Sequence, residues 1–168
     1  MPIRTTNIAI RAARPEDTAL VHAFILELAE YEKLTHAAVV TAEQVGTALF
    51  GSPPRAYCDI ARAEGVDVGF ALWVYNFSTF VGRAGIWLED LYVRPAARGC
   101  GAGTALLARL ARRCHDEHLG RLEWAVLNWN APSIAFYDSL GAEALSGWTT
   151  RRLDGEPLAR LANAGEPA

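Results

Sequence analysis

The chain has 168 residues, 51% of them apolar and 21% charged, which suits one globular domain with a core of its own. Its formal net charge of -3, without any basic run, argues against nucleic acid as the main partner. No apolar run approaches the length of a membrane span and the N-terminus lacks a signal-peptide core, so we expect no membrane association.

In chain order, the pattern predicts a strand, two helices, three strands and then alternating helices and strands. The first helix has Pro15 in its first turn and carries Val21, Phe24 and Leu28 at helical spacing. Thr41 caps the second helix, which runs to about residue 50. The predicted strands are residues 7–11, 57–63, 66–75, 86–93, 121–127 and 142–153, with a polar and aromatic turn at 76–83 and a short terminal helix at 156–161.

A glycine-rich loop at residues 98–103, Arg-Gly-Cys-Gly-Ala-Gly, separates the strand at 86–93 from the next helix. Its glycines let the backbone approach a ligand closely, and the following helix presents unpaired N–H groups at its positive end. These features indicate a phosphate or pyrophosphate receptor, although chain geometry alone would also account for the glycines. A Rossmann fingerprint would need glycine at Thr104 and a P-loop would need a lysine, so neither motif is present.

Glu89 is a candidate general base. By simple alternation it shares a strand face with Trp87 and Leu91, and apolar neighbours would raise the pKa of its carboxyl toward a useful range. On a solvated strand edge, or on a bulge that turns it outward, it would be an ordinary surface acid. Asp90 lies on the opposite face of the strand, where we expect its carboxyl to form a structural hydrogen bond or ion pair.

Tyr137 is a candidate general acid on the helix that Asn130 caps. A phenol of pKa about 10 can protonate a departing thiolate of pKa about 8.5, but such a tyrosine more commonly packs in a core.

Metal chemistry is not expected. His115 and His118 lie one turn apart near a helix end, where they suit the dipole and solvent, and no third ligand stands nearby. The cysteines Cys58, Cys100 and Cys114 have neither CxxC nor zinc-type spacing, which predicts reduced thiols in a cytoplasmic protein.

Taken with Glu89 and Tyr137, the glycine loop makes the chain resemble the GNAT superfamily of acetyl-CoA-dependent N-acetyltransferases. The superfamily signature, R/Q-x-x-G-x-G/A after a strand, stands at residues 98–103. Within the superfamily the chain is most similar to the branch of spermidine/spermine and thialysine (diamine) acetyltransferases. That similarity spans about residues 8–153 and rests on three blocks: ELAEYE at 27–32, LEDLYV at 88–93 with the loop, and WNAPSIAFY at 129–137 followed by LGA at 140–142.

The resemblance implies a fold and a reaction. The fold is α/β: a single GNAT domain over residues 1–168 with its core at about 8–153, a mixed, mostly antiparallel central sheet, helices on both faces and a splayed strand pair at the cofactor site. The reaction is transfer of acetyl from acetyl-CoA to the primary amine of a small molecule, by direct attack, in a homodimeric acyltransferase. Glu89 would be the base, directly or through water, and Tyr137 the acid.

It also implies the binding residues. Coenzyme A would be held by Leu91, Tyr92, Val93, Arg98, Gly99, Cys100, Gly101, Ala102, Gly103, Thr104, Asn130 and Ser133, and the amine by Tyr31, Glu32 and Trp148.

Departures from the branch bear on the substrate. The segment after Glu32, Lys-Leu-Thr-His, has no acid, and Ser78 and Ser146 stand where polyamine enzymes tend to carry acids. We therefore favour a diamine or a thialysine-like amino acid over a polyamine. Two alternatives remain: acetylation of protein amino groups, and a non-catalytic CoA-binding sensor. The presence of both Glu89 and Tyr137 argues against the sensor, because a sensor needs neither residue.

Overall fold

The computed structural model describes residues 7–165, in two compact units. The first unit is Met1–Ala125 and the second is Val126–Ala168, and each is described by itself. The expected single domain over residues 1–168 stays a prediction, and its ends at 1–6 and 166–168 lie outside the described residues.

A five-stranded sheet forms the first unit, and its strand order follows the chain. The first four strands pair antiparallel with their neighbours, and the last two pair in parallel. This confirms the mixed, mostly antiparallel sheet. The strands are β1 (Ile8–Ala12), β2 (Tyr57–Ala63), β3 (Val66–Ser78), β4 (Arg83–Val93) and β5 (Leu122–Trp124).

Helices cover both faces of this sheet, as predicted. On one face, α1 (Thr18–Tyr31) and α2 (Ala42–Phe50) bury an apolar cluster against the strands. Alternate residues of β2 point to the opposite face of the sheet, which α3 (Ala102–Asp116) covers. There the buried Asp59 carboxylate forms an ion pair with Arg109 of α3. The side chains shared by α1, α2 and the sheet include Val21, Phe24, Leu28, Val45, Leu49, Ile60, Phe70 and Tyr92.

Local sequence explains where these elements begin and end. The Thr41 hydroxyl accepts a hydrogen bond from the Gln44 backbone N–H, and the Gln44 side chain accepts one from the Thr41 N–H, which fixes the start of α2. The β2–β3 turn uses Glu64 and Gly65, both with positive φ.

The β4–β5 ladder is short, and all three residues of β5 pair with β4, so the expected splayed strand pair stays a prediction. The register joins β5 to residues 86–88 of β4 only, and β4 continues to Val93. The predicted strand at 121–127 is therefore longer than the observed one. The predicted turn at 76–83 is also too long, because residues 76–78 extend β3 and pair with β4.

The second unit contains α4 (Ala131–Ser139) and α5 (Gly155–Asn163). The strand predicted at 142–153 is wrong: these residues form neither helix nor strand. The prediction assumed that the apolar residues of this segment would be buried on one face of a sheet. Leu145, Trp148 and Leu153 are all exposed, so no face of the segment is buried. No helix within residues 7–165 is long and apolar enough to span a bilayer.

Candidate active site

A β-bulge in β4 decides the environment of Glu89. The β3–β4 register pairs Leu72 with Asp90 and Trp73 with Leu88, so Glu89 is the extra residue of the bulge. Its side chain is exposed, and its carboxylate accepts a 2.9 Å hydrogen bond from the Trp87 indole N–H. The expected burial of Glu89 among apolar neighbours is therefore wrong, because the bulge breaks the alternation on which that expectation depended.

Asp90 is the less exposed of the two acids of this strand. It lies opposite Leu72, which packs against the apolar cluster under α1 and α2. Burial, followed by the charges of Glu89 and Glu32, raises the pKa of the Asp90 carboxyl to about 7. Neither the hydrogen bond nor the ion pair anticipated for this carboxyl forms among residues 7–165. Sequence reasoning missed Asp90 as a functional candidate because alternation assigned the useful environment to Glu89.

The C-terminal end of α1 carries the two residues expected to face the amine. Tyr31 and Glu32 are both partly buried, and burial raises the pKa of the Glu32 carboxyl. The charge of Glu32 contributes to the raised pKa of the Asp90 carboxyl in β4.

Arg98 joins the glycine loop to this acidic region. Its guanidinium carbon lies 4.4 Å from the centre of the Tyr31 ring, and its Nε donates to the Val93 carbonyl at 3.1 Å. The first unit thus brings the Arg98 guanidinium of the glycine loop into contact with Tyr31 at the end of α1.

A second pair of contacts fixes α1 to the end of β4. Arg94 donates to both carboxylate oxygens of Glu27, with Nη2 2.7 Å from Oε1, and its guanidinium carbon lies 4.7 Å from the centre of the Phe24 ring. The hydrogen bonds from Arg94 lower the pKa of the Glu27 carboxyl, and the Tyr92 side chain acts in the same direction. Sequence reasoning gave Arg94 and Glu27 no role, although Glu27 lies one turn before Tyr31 on α1.

The loop geometry fits a phosphate group. Gly99 and Gly101 have φ of +76° and +93°, and a Cβ added to either would meet no atom within 4 Å, so the loop surface is open. Gly101 is also the N-cap of α3, where no side chain caps the helix. The first-turn amides of Ala102, Gly103 and Thr104 therefore present the kind of donor set that binds pyrophosphate.

The second unit holds the other predicted site residues. The Asn130 side chain is buried and its amide oxygen accepts from the Ser133 N–H at 3.3 Å, which confirms the predicted helix cap. Tyr137 is partly buried, with its ring centre 5.3 Å from that of Phe136, and Trp148 is 77% exposed.

Among residues 7–165, no group of three histidine, cysteine or acidic side chains is arranged to hold a metal ion.

Comparison with known proteins gives a consistent family. The model of the acetyltransferase (GNAT) family matches residues 19–142. The thialysine N-epsilon-acetyltransferase of Bos taurus is 36% identical over 166 residues, which cover 92% of this chain and 97% of the relative. The L-ornithine N5-acetyltransferase of Arabidopsis thaliana is 27% identical over 194 residues, covering 89% of this chain and 85% of the relative.

Solved structures agree on the fold. An integron cassette protein of V. cholerae superposes with a TM-score of 0.77 at 23% identity, covering 92% of this chain and 97% of that protein. Three findings indicate the same family: the family model matches most of the chain, a relative is more than 30% identical, and the fold is shared. The chain therefore belongs to the GNAT family and is an N-acetyltransferase.

Proposed function

We propose that this enzyme transfers acetyl from acetyl-CoA to the side-chain amine of a small amino acid or to a short diamine. The observation that carries the proposal is the contact between Arg98 of the glycine loop and Tyr31 of the acidic region. This contact supports a site in which the glycine loop holds the cofactor phosphates next to carboxylates that would attract an ammonium group. The named substrates of the relatives, thialysine and L-ornithine, are amino acids with such a side-chain amine.

The cofactor would lie along the end of β4 and the start of α3. Members of the GNAT family use acetyl-CoA. In the proposed complex, backbone groups of Leu91, Tyr92 and Val93 hold the pantetheine arm, and the amides of residues 99–104 hold the pyrophosphate. By the resemblance, Asn130 and Ser133 also contact the cofactor.

The proposed chemistry needs one base and one acid. The ammonium of the substrate loses a proton to Glu89, directly or through water, and the neutral amine attacks the thioester carbonyl. The carbon–nitrogen bond forms and the carbon–sulfur bond breaks. Tyr137 protonates the departing thiolate and regains a proton from the nitrogen of the intermediate, and Glu89 releases its proton to water. Holding amine and thioester together supplies much of the remaining rate enhancement.

Short acceptors fit the distribution of charge better than polyamines do. Ser78 is buried at the end of β3, and its hydroxyl accepts from the Val81 N–H at 3.3 Å, so it serves the hairpin. Ser146 adds no charge either. A long polycation would therefore find acids only at one end, near Glu32 and Glu89.

Two further properties are proposed. The resemblance to dimeric relatives supports a homodimer. The three free cysteines, Cys58, Cys100 and Cys114, support a reducing compartment such as the cytoplasm.

Thiol release from acetyl-CoA tests the proposal. The amine panel contains thialysine, L-ornithine, short diamines, spermidine and a lysine-containing peptide. We expect turnover to be highest with thialysine, L-ornithine or a diamine, and to fall about 100-fold or more in Tyr137→Phe and Glu89→Gln. Matched controls are Tyr75→Phe, whose hydroxyl bonds Glu117, and Glu43→Gln on the exposed first turn of α2.

The outcomes separate the candidate functions. Turnover of the peptide alone would favour a protein acceptor. Tight acetyl-CoA binding without turnover of any amine would favour the sensor, and failure to bind coenzyme A would refute the proposal altogether.

A further inference from the structure

Two arginines join the end of α1 to the segment that leads into the glycine loop. Arg94 bonds the Glu27 carboxylate, and the Arg98 guanidinium lies over the Tyr31 ring. Glu27 and Tyr31 are four residues apart, so they share a face of α1. The two arginines are also four residues apart and flank the short 3₁₀ turn Pro95–Ala97. One short segment thus holds the last turn of α1 at two points.

Arg94 makes the more extensive of the two contacts. Its Nε and Nη2 donate to the Glu27 carboxylate at distances between 2.7 and 3.1 Å. Its Nη1 donates to the Asp67 carbonyl at 3.3 Å, and its backbone N–H donates to the Val68 carbonyl at 2.8 Å. All three guanidinium nitrogens are therefore used, two on α1 and one at the start of β3. A lysine ammonium could not reproduce this planar, bidentate arrangement.

The pair formed by Arg94 and Glu27 is better suited to fixing a position than to stabilising the fold. The two side chains are 36% and 32% exposed, and ion pairs with such exposure add little to stability. The core already fixes the body of α1 through side chains such as Phe24 and Leu28. Leu28 is the last buried residue of the helix. The contacts with Arg94 and Arg98 therefore help to fix the direction in which the end of the helix points.

We propose that Arg94 is a positioning residue for the acceptor amine. Through Glu27 it holds the last turn of α1 so that Tyr31 and Glu32 face the amine beside the bound acetyl-CoA. The inference rests on the proposed amine acetyltransferase function and deepens it, since it adds a residue that touches neither substrate. Loss of the pair lets the end of the helix move, which weakens amine binding without changing the chemical step.

This role has a kinetic signature that separates it from catalysis and from folding. A residue that only orients the amine pocket acts equally on the bound substrate and on the transition state. Its removal therefore raises the KM for the amine and leaves kcat nearly unchanged. The KM for acetyl-CoA should also hold, because the backbone bond from residue 94 to Val68 survives substitution of the side chain. A general loss of rigidity would alter all three constants.

The test measures kcat and the KM of both substrates, with the best amine of the panel. The variants are Arg94→Gln, Glu27→Gln, the double variant and Arg94→Lys, beside the wild type. Arg113→Gln is the matched control, because Arg113 bonds Glu117 at 2.8 Å and likewise lies over an aromatic ring, that of Trp73. The side chains of this control pair are 28% and 37% exposed, close to the values for the Arg94 pair, and neither partner has a proposed role in the site.

We expect Arg94→Gln and Glu27→Gln each to raise the KM for the amine about tenfold. Their kcat should change less than about threefold, and their KM for acetyl-CoA less than about twofold. The double variant should show the same rise of about tenfold, because both substitutions remove one contact. Arg94→Lys keeps the charge but not the paired bonds, so its KM for the amine should rise about threefold. Arg113→Gln should leave all three constants within about twofold of the wild type.

Calorimetry of amine binding to the complex of enzyme and coenzyme A supplies a readout that does not need turnover. It should show the same weakening, about tenfold, in Arg94→Gln and Glu27→Gln. Three outcomes would overturn the inference and leave the proposed function intact: an unaltered KM for the amine in both single variants, equal effects in Arg94→Gln and Arg113→Gln, or a rise of about a hundredfold in the double variant. Absence of turnover with every amine in the wild type would overturn both.

Discussion

Replacing Asp90 with asparagine should make the protein more stable at alkaline pH, whatever its effect on activity. The folded protein raises the pKa of this carboxyl from 3.8 to about 7. The folded state therefore binds the proton more tightly than the unfolded state does. Stability falls as pH rises through the interval from about 4 to about 7, and the penalty is complete above it. Asp90→Asn removes this penalty because its amide cannot ionise.

The size of the effect follows from the shift. About three pKa units correspond to about 4 kcal/mol, of which roughly 2–3 kcal/mol develops between pH 5 and pH 8. Partial exposure of the carboxyl lowers the expected value to about 2 kcal/mol. Asp90→Asn should accordingly gain about 2 kcal/mol over wild type between pH 5 and pH 8.

Urea unfolding followed by tryptophan fluorescence at the two pH values measures this gain, with the exposed Asp116→Asn as control. Asp116→Asn should track the wild type within about 0.5 kcal/mol, because surface substitutions rarely exceed that value. If Asp90→Asn shows no larger dependence on pH than Asp116→Asn, the carboxyl is not held protonated in the fold, and the reasoning is refuted.

Two other substitutions test the framework of the site. Gly101→Ala forces a φ of +93° on an alanine, so we expect the unfolding free energy to fall by about 1–2 kcal/mol. Coenzyme A binding, measured by calorimetry, should become about tenfold weaker. Gly147→Ala, where φ is not positive, should change neither quantity. Asp59→Ala removes the acceptor of the 3.0 Å bond from the Trp73 indole and the partner of Arg109. It should lower the unfolding free energy by about 2–3 kcal/mol in urea titrations and leave coenzyme A affinity within twofold.

Much of the fold follows from local sequence signals. The caps at Thr41 and Asn130, the glycines of the loop and the spacing of Val21, Phe24 and Leu28 each act within a few residues, and each prediction is confirmed. The strands of the antiparallel sheet were also predictable, because their apolar residues have nearby partners along the chain.

Features that depend on pairing between distant segments were not predictable. The strand expected at 142–153 has a suitable pattern, yet no face of it is buried, so the pattern alone does not make a strand. The environment of Glu89 was misjudged for a related reason. A bulge is a property of the β3–β4 register, and a single strand carries no sign of which residue will be left unpaired.

The bulge in β4 gives the acceptor side of the site a chemical asymmetry that regular pairing would not provide. In an unbroken strand, consecutive acids lie on opposite faces of the sheet and serve different surfaces. The extra residue here leaves Glu89 exposed beside Trp87, while Asp90 is partly buried and its pKa responds to the charge of Glu89. The stability that Asp90 costs above pH 7 is about the free energy by which it becomes a better proton acceptor than a solvated carboxylate, because both come from the same pKa shift. A chain under selection for stability alone would place an amide or an apolar residue at position 90, so the unfolding experiment measures what the acid at this position costs the fold.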